Sequence, residues 1–275
     1  MPQARTTIAR GVERILGRRR VVRASRFLLN HARRDGPNEI AQNGELLVQR
    51  TVLQAAGSCA VVFDVGANLG QWSSQLISQS SAALDLHVFE PSAGCMERLR
   101  GTLRSTDRVA ITLNQEAASS ADGEATLFKP HELAGSSSLH PTPETGDHHE
   151  AVRTRTLTGY CHEHGIEHID LLKIDAEGHD HHVLLGSAGL LQERAIEVVQ
   201  FEYNHRWIGA RHYLKDVFEL VNPWGYRVGK VTPEGIEWYP RWVPQLETLI
   251  EANYVAALPR IGDRLPAVAW WAAAM

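Results

Sequence analysis

Apolar residues recur along this chain in two periods, and the change of period divides it. Over residues 8–34, Ile8, Val12, Ile15 and Leu16 and then Phe27, Leu28 and Leu29 keep helical spacing, which predicts one helix. Asp35-Gly36-Pro37-Asn38 breaks it. A second helix is expected from Glu45 to Ala56, stopped by Gly57-Ser58. From Cys59 onward short apolar runs alternate with helical stretches. Strands are predicted at Cys59–Val65, Asp85–Phe89, Val109–Asn114, Ile169–Ile174, Ile196–Glu202 and Tyr254–Leu258, with a short extra one at Ala125–Lys129. Helices are predicted at Trp72–Ser80, Cys95–Arg104, Leu157–His164, Asp180–Leu185, Tyr213–Val221 and Leu246–Ala252. Tyr226–Val231 and Ile236–Tyr239 flank Thr232-Pro233-Glu234-Gly235 and read as a hairpin. Residues 130–150 show no period and read as a long loop. Strands alternating with helices imply an α/β fold built on a parallel sheet.

Composition changes this picture little. At 275 residues the chain can bury a self-sufficient core, and 43% hydrophobic with 22% charged residues is ordinary globular usage. No run approaches the ~20 apolar residues of a membrane helix, and the basic N-terminus lacks the apolar core of a secretory signal. Cys59, Cys95 and Cys161 have no metal-site or disulfide spacing, which fits a reducing cytoplasm. Charge is unevenly placed. Residues 1–34 hold ten Arg and one acid, Glu13, a local +9, so the rest carries −13 of the net −4. An acidic body does not suit a nucleic-acid clamp. Three regions follow: a basic helical extension over 1–44, an α/β domain over 45–258, and an apolar tail over 259–275.

The chemistry-bearing positions fall where strands end. The first strand runs into Asp64-Val65-Gly66-Ala67-Asn68-Leu69-Gly70 before a helix, a turn whose glycines admit a ligand close to the backbone. The G-x-G-x-x-G dinucleotide fingerprint is absent, since Asn68 stands where its middle glycine would be. Asp64 would repel a pyrophosphate and attract a cation. S-adenosylmethionine (SAM), with its ammonium and sulfonium, suits that turn better than a nicotinamide dinucleotide. Glu90 ends the second strand, where a carboxylate can accept from both ribose hydroxyls.

FDVGANLGQW, VFEPS, LLKIDAEGHD and QFEYN, in that order, resemble the FkbM family of SAM-dependent O-methyltransferases, from about Glu45 to Leu258. The resemblance implies a class I methyltransferase, Rossmann-like sheet of seven strands with the last antiparallel. Here it would carry an N-terminal helical extension and a hairpin near the C-terminus. It places Asp64, Gly66, Asn68 and Gly70 about the methionine part of SAM, Glu90 on the ribose, and Ser92, Glu116 and Ala117 beside the adenosine. It implies a hydroxyl acceptor on a sugar, glycolipid or polyketide.

Methyl transfer to a hydroxyl needs a group to take the proton or a metal that lowers the hydroxyl pKa. Asp175 and Glu202 end the fourth and fifth strands, and with Asn204 they form an oxygen-rich set suited to Mg²⁺. General-base catalysis by His179, His205 or Asp175 is the metal-free expectation. The histidines at 179, 181 and 182 and at 162 and 164 have no H-E-x-x-H spacing and are expected at the surface rather than about zinc. Gly135–His140 is expected to act as a lid, and Trp207, Trp224, Trp238 and Trp242 as packing or sugar-stacking groups. The expected acceptor is a small molecule or oligosaccharide, with no nucleic acid, and the apolar tail leaves room for a homodimer. A dehydrogenase, a nucleic-acid methyltransferase and a fold-retaining, non-catalytic partner are the competing classes. The acid at the glycine turn, the acidic body without an N-P-P-Y loop, and the intact strand-end acids weigh against them in turn.

Overall fold

The computed structural model describes residues 2–35, 39–131, 135–141 and 148–271. The expected break at Asp35–Asn38, the 130–150 loop and the tail lie partly outside them. The chain divides into two compact units, Met1–Pro37 and Asn38–Met275. In the first, α1 (Pro2–Leu16) and α2 (Arg18–Ala32) replace the single helix expected over 8–34. Gly17 separates them at φ 78°, a left-handed value that ends a right-handed helix. Ile15, Phe27, Leu28 and Leu29 are exposed, and no residue of α2 is buried. Among the described residues no helix is long and apolar enough to cross a membrane.

The second unit runs α3 (Glu45–Ala55), β1 (Cys59–Val65), α4 (Gln71–Gln79), β2 (Ala83–Phe89), α5 (Ala93–Thr102), β3 (Val109–Asn114), β4 (Ala117–Ala118), β5 (Gly123–Lys129) and β6 (His148–Arg155). It continues with α6 (Leu157–His164), β7 (Ile169–Ile174), α7 (Asp180–Gly186), α8 (Ala188–Gln192), β8 (Ile196–Tyr203), α9 (Trp207–Ala210) and α10 (Leu214–Val221). It ends with β9 (Arg227–Thr232), β10 (Gly235–Tyr239), β11 (Ala252–Ala257), α11 (Pro259–Gly262) and β12 (Ala267–Val268).

Nine strands form the main sheet in the order β12-β10-β9-β11-β8-β7-β1-β2-β3. The five from β3 to β8 are parallel, and β11 inserts antiparallel to both β8 and β9. Seven of these strands match the expected doubly wound sheet with its reversed last strand; β10 and β12 widen it. β9 and β10 form the predicted hairpin. Strand order reverses between β1 and β7, so the crevice of the fold opens at their carboxyl ends. Alternate residues feed two apolar layers: Phe63, Leu172 and Phe201 face one side, Val62, Leu171 and Val198 the other.

Two expectations fail locally. Residues 148–155 form β6, antiparallel to β5 in a second sheet of order β4-β6-β5, not the end of a loop. Leu246–Ala252 is not a helix. One 3₁₀ turn at Pro244–Leu246 gives way to Leu249 at φ 55°, which no right-handed helix accommodates, and the chain then enters β11. The described part of the apolar tail docks on the body: β12 pairs with β10, and Trp270 packs edge-on against Tyr239 at 5.5 Å.

A buried cation ties the sheet centre together. Lys173 on β7 is the register partner of Asp64 on β1. Its Nζ lies 3.5 Å from Asp64 Oδ1 and 3.2 Å from Asp175 Oδ2. Burial opposes the charge, yet Asp175, Asp64 and Glu45 together hold the ammonium pKa above its ordinary value. Removing one partner of such a group leaves a buried charge unpaired, which costs about 3–5 kcal/mol. Lys173→Met is therefore expected to lower the melting temperature by roughly 6 °C or more. A shift within about 1 °C of wild type would show that Asp64 and Asp175 do not need the cation.

Candidate active site

A cleft of about 540 Å³ opens at the carboxyl ends of β1, β2 and β7. Its wall contains Gly66, Asn68, Glu90, Glu116 and Ala117 from the expected cofactor set, with Asp175 and His179 from the expected catalytic set. Gly135, Ser137 and Leu139 also line it, so the segment expected as a lid does border the cleft. That segment is anchored. Ser138 exchanges backbone hydrogen bonds with Phe128, and its Oγ donates to the Glu177 carbonyl at 2.7 Å.

The turn after β1 explains its glycine. Gly66 adopts φ 77°, and a Cβ there would lie 1.8 Å from the Asp175 carbonyl oxygen. Asp175 N–H donates to Val65 O at 3.0 Å, so the loops leaving β1 and β7 are joined backbone to backbone. Asn68 follows at φ 49°, a conformation asparagine tolerates, and its N–H points at Glu90. Glu90 Oε2 accepts from Asn68 N–H and Oε1 from Ser92 N–H, each at 2.8 Å. Burial nevertheless pushes its pKa up to about 7, the backbone donors opposing.

Several expected cofactor residues stand behind the wall rather than in it. Asp64 is fully buried, accepting from Ser73 Oγ at 2.6 Å and facing Lys173. Gly70 opens α4 at φ 80° with Leu99 packed on it. Ser92 caps α5 through its Oγ and orients Glu90 through its N–H. Glu116, by contrast, stands in the wall itself and pairs with Arg153 at 2.8 Å.

Carboxylates crowd the β7 and β8 ends. Glu177 lines the cleft at φ 52°, paired to Arg206 at 2.7 Å. Burial, then repulsion from Asp175, raises its pKa to about 8. The same causes raise buried Asp180 to about 7, although Gly178 N–H and Ala176 N–H donate to it. Burial and the charges of Asp175 and Glu177 push Glu202 well above the carboxylate range.

The expected Mg²⁺ trio is committed elsewhere. Asn204 Nδ2 donates to Glu202 Oε1, and Asn204 Oδ1 accepts from Arg206 N–H at 2.8 Å. Asp175 Oδ2 is already paired with Lys173 Nζ at 3.2 Å. As folded, the set does not fit an open octahedral magnesium site. His205 is exposed and not part of the cleft wall.

The surface placement expected for the histidines is wrong for two of them and part-buried for a third. His179 is 7% and His181 5% exposed, and His182 is half-buried. Burial, then the neighbouring His182 and His140, lowers His179 to about 3. Burial and His212 lower His182 to about 4. The sequence reading also missed Lys173 and Glu177 as site residues. Their positions in the K-I-D-A-E-G-H run at the end of a buried strand were the available signal. Of the tryptophans singled out, none lines the cleft; Trp207 is wholly buried against Phe201 and Tyr203.

A second, more open groove of about 1070 Å³ lies beside the cleft, lined by Glu39, Glu45, Gln71, Trp72, Gln75 and Lys173. Asp175 lines this groove as well as the cleft.

The raised carboxyls and lowered histidines act oppositely on stability. Between their ordinary values near 4.5 and about 8, the folded acids keep protons that the unfolded chain has lost, so stability falls as pH rises. The histidines, lowered to about 3–4 from 6.5, add stability as pH rises to 6.5 and nothing beyond. Above about pH 6.5 only the acids act. The melting temperature is expected to fall from pH 6.5 to 8, with a shallower slope in Glu177→Gln, read by calorimetry across pH. A flat wild-type profile over that window contradicts the burial of these acids.

The family model described as "Methyltransferase FkbM domain" matches residues 64–228. No curated protein matches the sequence. Among solved structures, an rRNA methylase from Streptococcus thermophilus aligns at 10% identity over 79% of this chain and 97% of its own, TM-score 0.44. The plantazolicin methyltransferase BpumL in complex with SAH aligns at 9% identity over 78% and 82%, TM-score 0.41. Fibrillarin of Aeropyrum pernix, with natively bound S-adenosyl-L-methionine, aligns at 11% identity over 77% and 74%, TM-score 0.39. Likeness at this level carries no argument about the acceptor.

Proposed function

The chain belongs to the methyltransferase FkbM domain family, and from that premise we propose that it is a SAM-dependent O-methyltransferase acting on a sugar or glycoconjugate hydroxyl. A hydroxyl of a polyketide or other secondary metabolite is the nearest other acceptor. The observation that carries the reading is Asp175, which lines both the cleft and the groove. The cleft takes the cofactor, the groove takes the acceptor, and the two meet at a carboxylate.

Bound SAM supplies an electrophilic methyl group. The residues of the chain supply position and a proton acceptor. Glu90 takes the ribose hydroxyls on the second lone pairs of oxygens already fixed by Asn68 and Ser92. Glu116 and Ala117 flank the adenosine. Asp175, or Glu177 with its pKa near 8, takes the proton as the acceptor oxygen bonds to the methyl carbon and the carbon–sulfur bond breaks. The products are S-adenosylhomocysteine and the methyl ether. The groove favours a polyhydroxylated acceptor: Gln71, Gln75, Glu39 and Glu45 offer hydrogen bonds around the Trp72 ring.

Calorimetric titration with S-adenosylhomocysteine tests the cofactor half. Glu90 accepts best when ionised, so affinity is expected to rise about tenfold as pH passes upward through 7. Glu90→Gln is expected to lose at least about tenfold at pH 8 and to flatten the profile. Gln75→Ala is expected to leave this binding unchanged while raising the KM for a sugar acceptor with a free hydroxyl. Equal loss of S-adenosylhomocysteine binding in Gln75→Ala would assign the groove to the cofactor instead.

A further inference from the structure

We propose that His140, His179 and His182 form a transition-metal site, of the Zn²⁺ class, on the wall of the cleft. One ring nitrogen from each lies within 4.8 Å of the other two. His179 Nδ1 and His140 Nε2 are 3.0 Å apart, close to the roughly 3.3 Å between neighbouring nitrogens about a tetrahedral zinc. The remaining nitrogens are already oriented as second-shell partners require. His179 Nε2 faces Ser119 Oγ at 3.0 Å, and His182 Nδ1 faces Ser120 Oγ at 3.4 Å. An N–H on each of those atoms turns the other ring nitrogen to the ion as a lone pair.

The ligands come from two segments that are already joined at Ser138 and Glu177. His179 occupies the N-cap position of α7 and His182 follows three residues later, and the two rings stack at 4.5 Å. His140 arrives on the segment bordering the cleft, and its N–H donates to the Ser138 Oγ that binds the Glu177 carbonyl. Three imidazoles and no carboxylate select a borderline dication over magnesium or calcium. Burial of all three also disfavours the protonated rings that would compete with the ion.

Three protein ligands leave the fourth tetrahedral position open. Because His179 lines the cleft, the ion ties segment 135–141 across to α7 beside the bound ligand. The site stands on this geometry and does not rest on the methyl-transfer reading.

A second trio, His181, His212 and Asp216, sits behind the first, with the His182 and His212 rings 4.9 Å apart. It supplies the control. Tag-free, metal-stripped protein is titrated with Co²⁺ and followed by the visible ligand-field absorption of tetrahedral cobalt, with Zn²⁺ displacement as the second readout. One saturating equivalent, bleached by Zn²⁺, is expected for wild type and for His212→Ala. The signal is expected to vanish in His140→Ala and in His182→Ala, and Ser119→Ala is expected to weaken binding about tenfold. Far-UV circular dichroism and S-adenosylhomocysteine titration check that the variants remain folded. No tetrahedral signal in the wild type overturns the site. Retention of the signal in folded His140→Ala and His182→Ala, with loss in His212→Ala, overturns it in favour of the second trio.

Discussion

A lysine ammonium enclosed between the carboxylates of adjacent parallel strands is the constraint on which the centre of this molecule depends. Lys173 stands opposite Asp64 in the β1–β7 ladder, and Asp175 follows two residues later on the same face. Gln200 on β8 continues the row as the next register partner of Lys173, and its Nε2 donates to Glu45 Oε2 from the covering α3. Asn253 on β11 reaches the same carboxylate. A polar row thus crosses four strands of the sheet. It fixes where β1 and β7 end relative to each other, and that is where the cleft opens. Parallel strands carry no turn to set this register; the charges and the backbone contact at Gly66 do so.

That row changes what the sequence motif means. An acid at the end of the first strand reads from the sequence as a partner for a cationic ligand. In the folded chain Asp64 is sealed and shares Lys173 with Asp175, so Asp175 is the carboxylate of the pair that reaches solvent. Glu90 is the opposite case. Its position at the end of β2 was legible, and it does line the cleft. What the sequence could not carry is its environment: two backbone N–H groups on its oxygens and enough burial to bring its pKa near 7.

The legibility of the fold follows the same division. The buried parallel strands announced themselves as continuous apolar runs because both faces are covered. β6 did not, since of its eight residues only Val152 is buried, and His148-His149-Glu150 gives no strand period. The 246–252 stretch has helical apolar spacing, yet the demand that β11 insert between β8 and β9 outweighs it. Gly17 was visible inside the basic helix, but one glycine within a helical pattern does not specify a break until its φ is known. The histidine cluster was hidden for a different reason. His179 and His182 show their i, i+3 relation in the sequence, whereas His140 lies 39 residues earlier on a segment with no period.

Burial therefore acts on the cleft in two ways, and its effect depends on the sign of the group. Around Asp175, the carboxyls of Glu90, Glu177, Asp180 and Glu202 face Lys173 and Arg206, and full ionisation would leave a strongly negative, poorly solvated cavity. The raised pKa values let protons rather than cations relieve that excess. Two residues beyond Glu177 the same exclusion of water strips protons from His179, and a turn later from His182. The segment between β7 and α7 thus carries carboxyls that titrate near neutrality beside uncharged imidazole nitrogens that already have oriented partners. Opposite shifts in neighbouring groups let one small cleft combine acid–base capacity with neutral donor atoms.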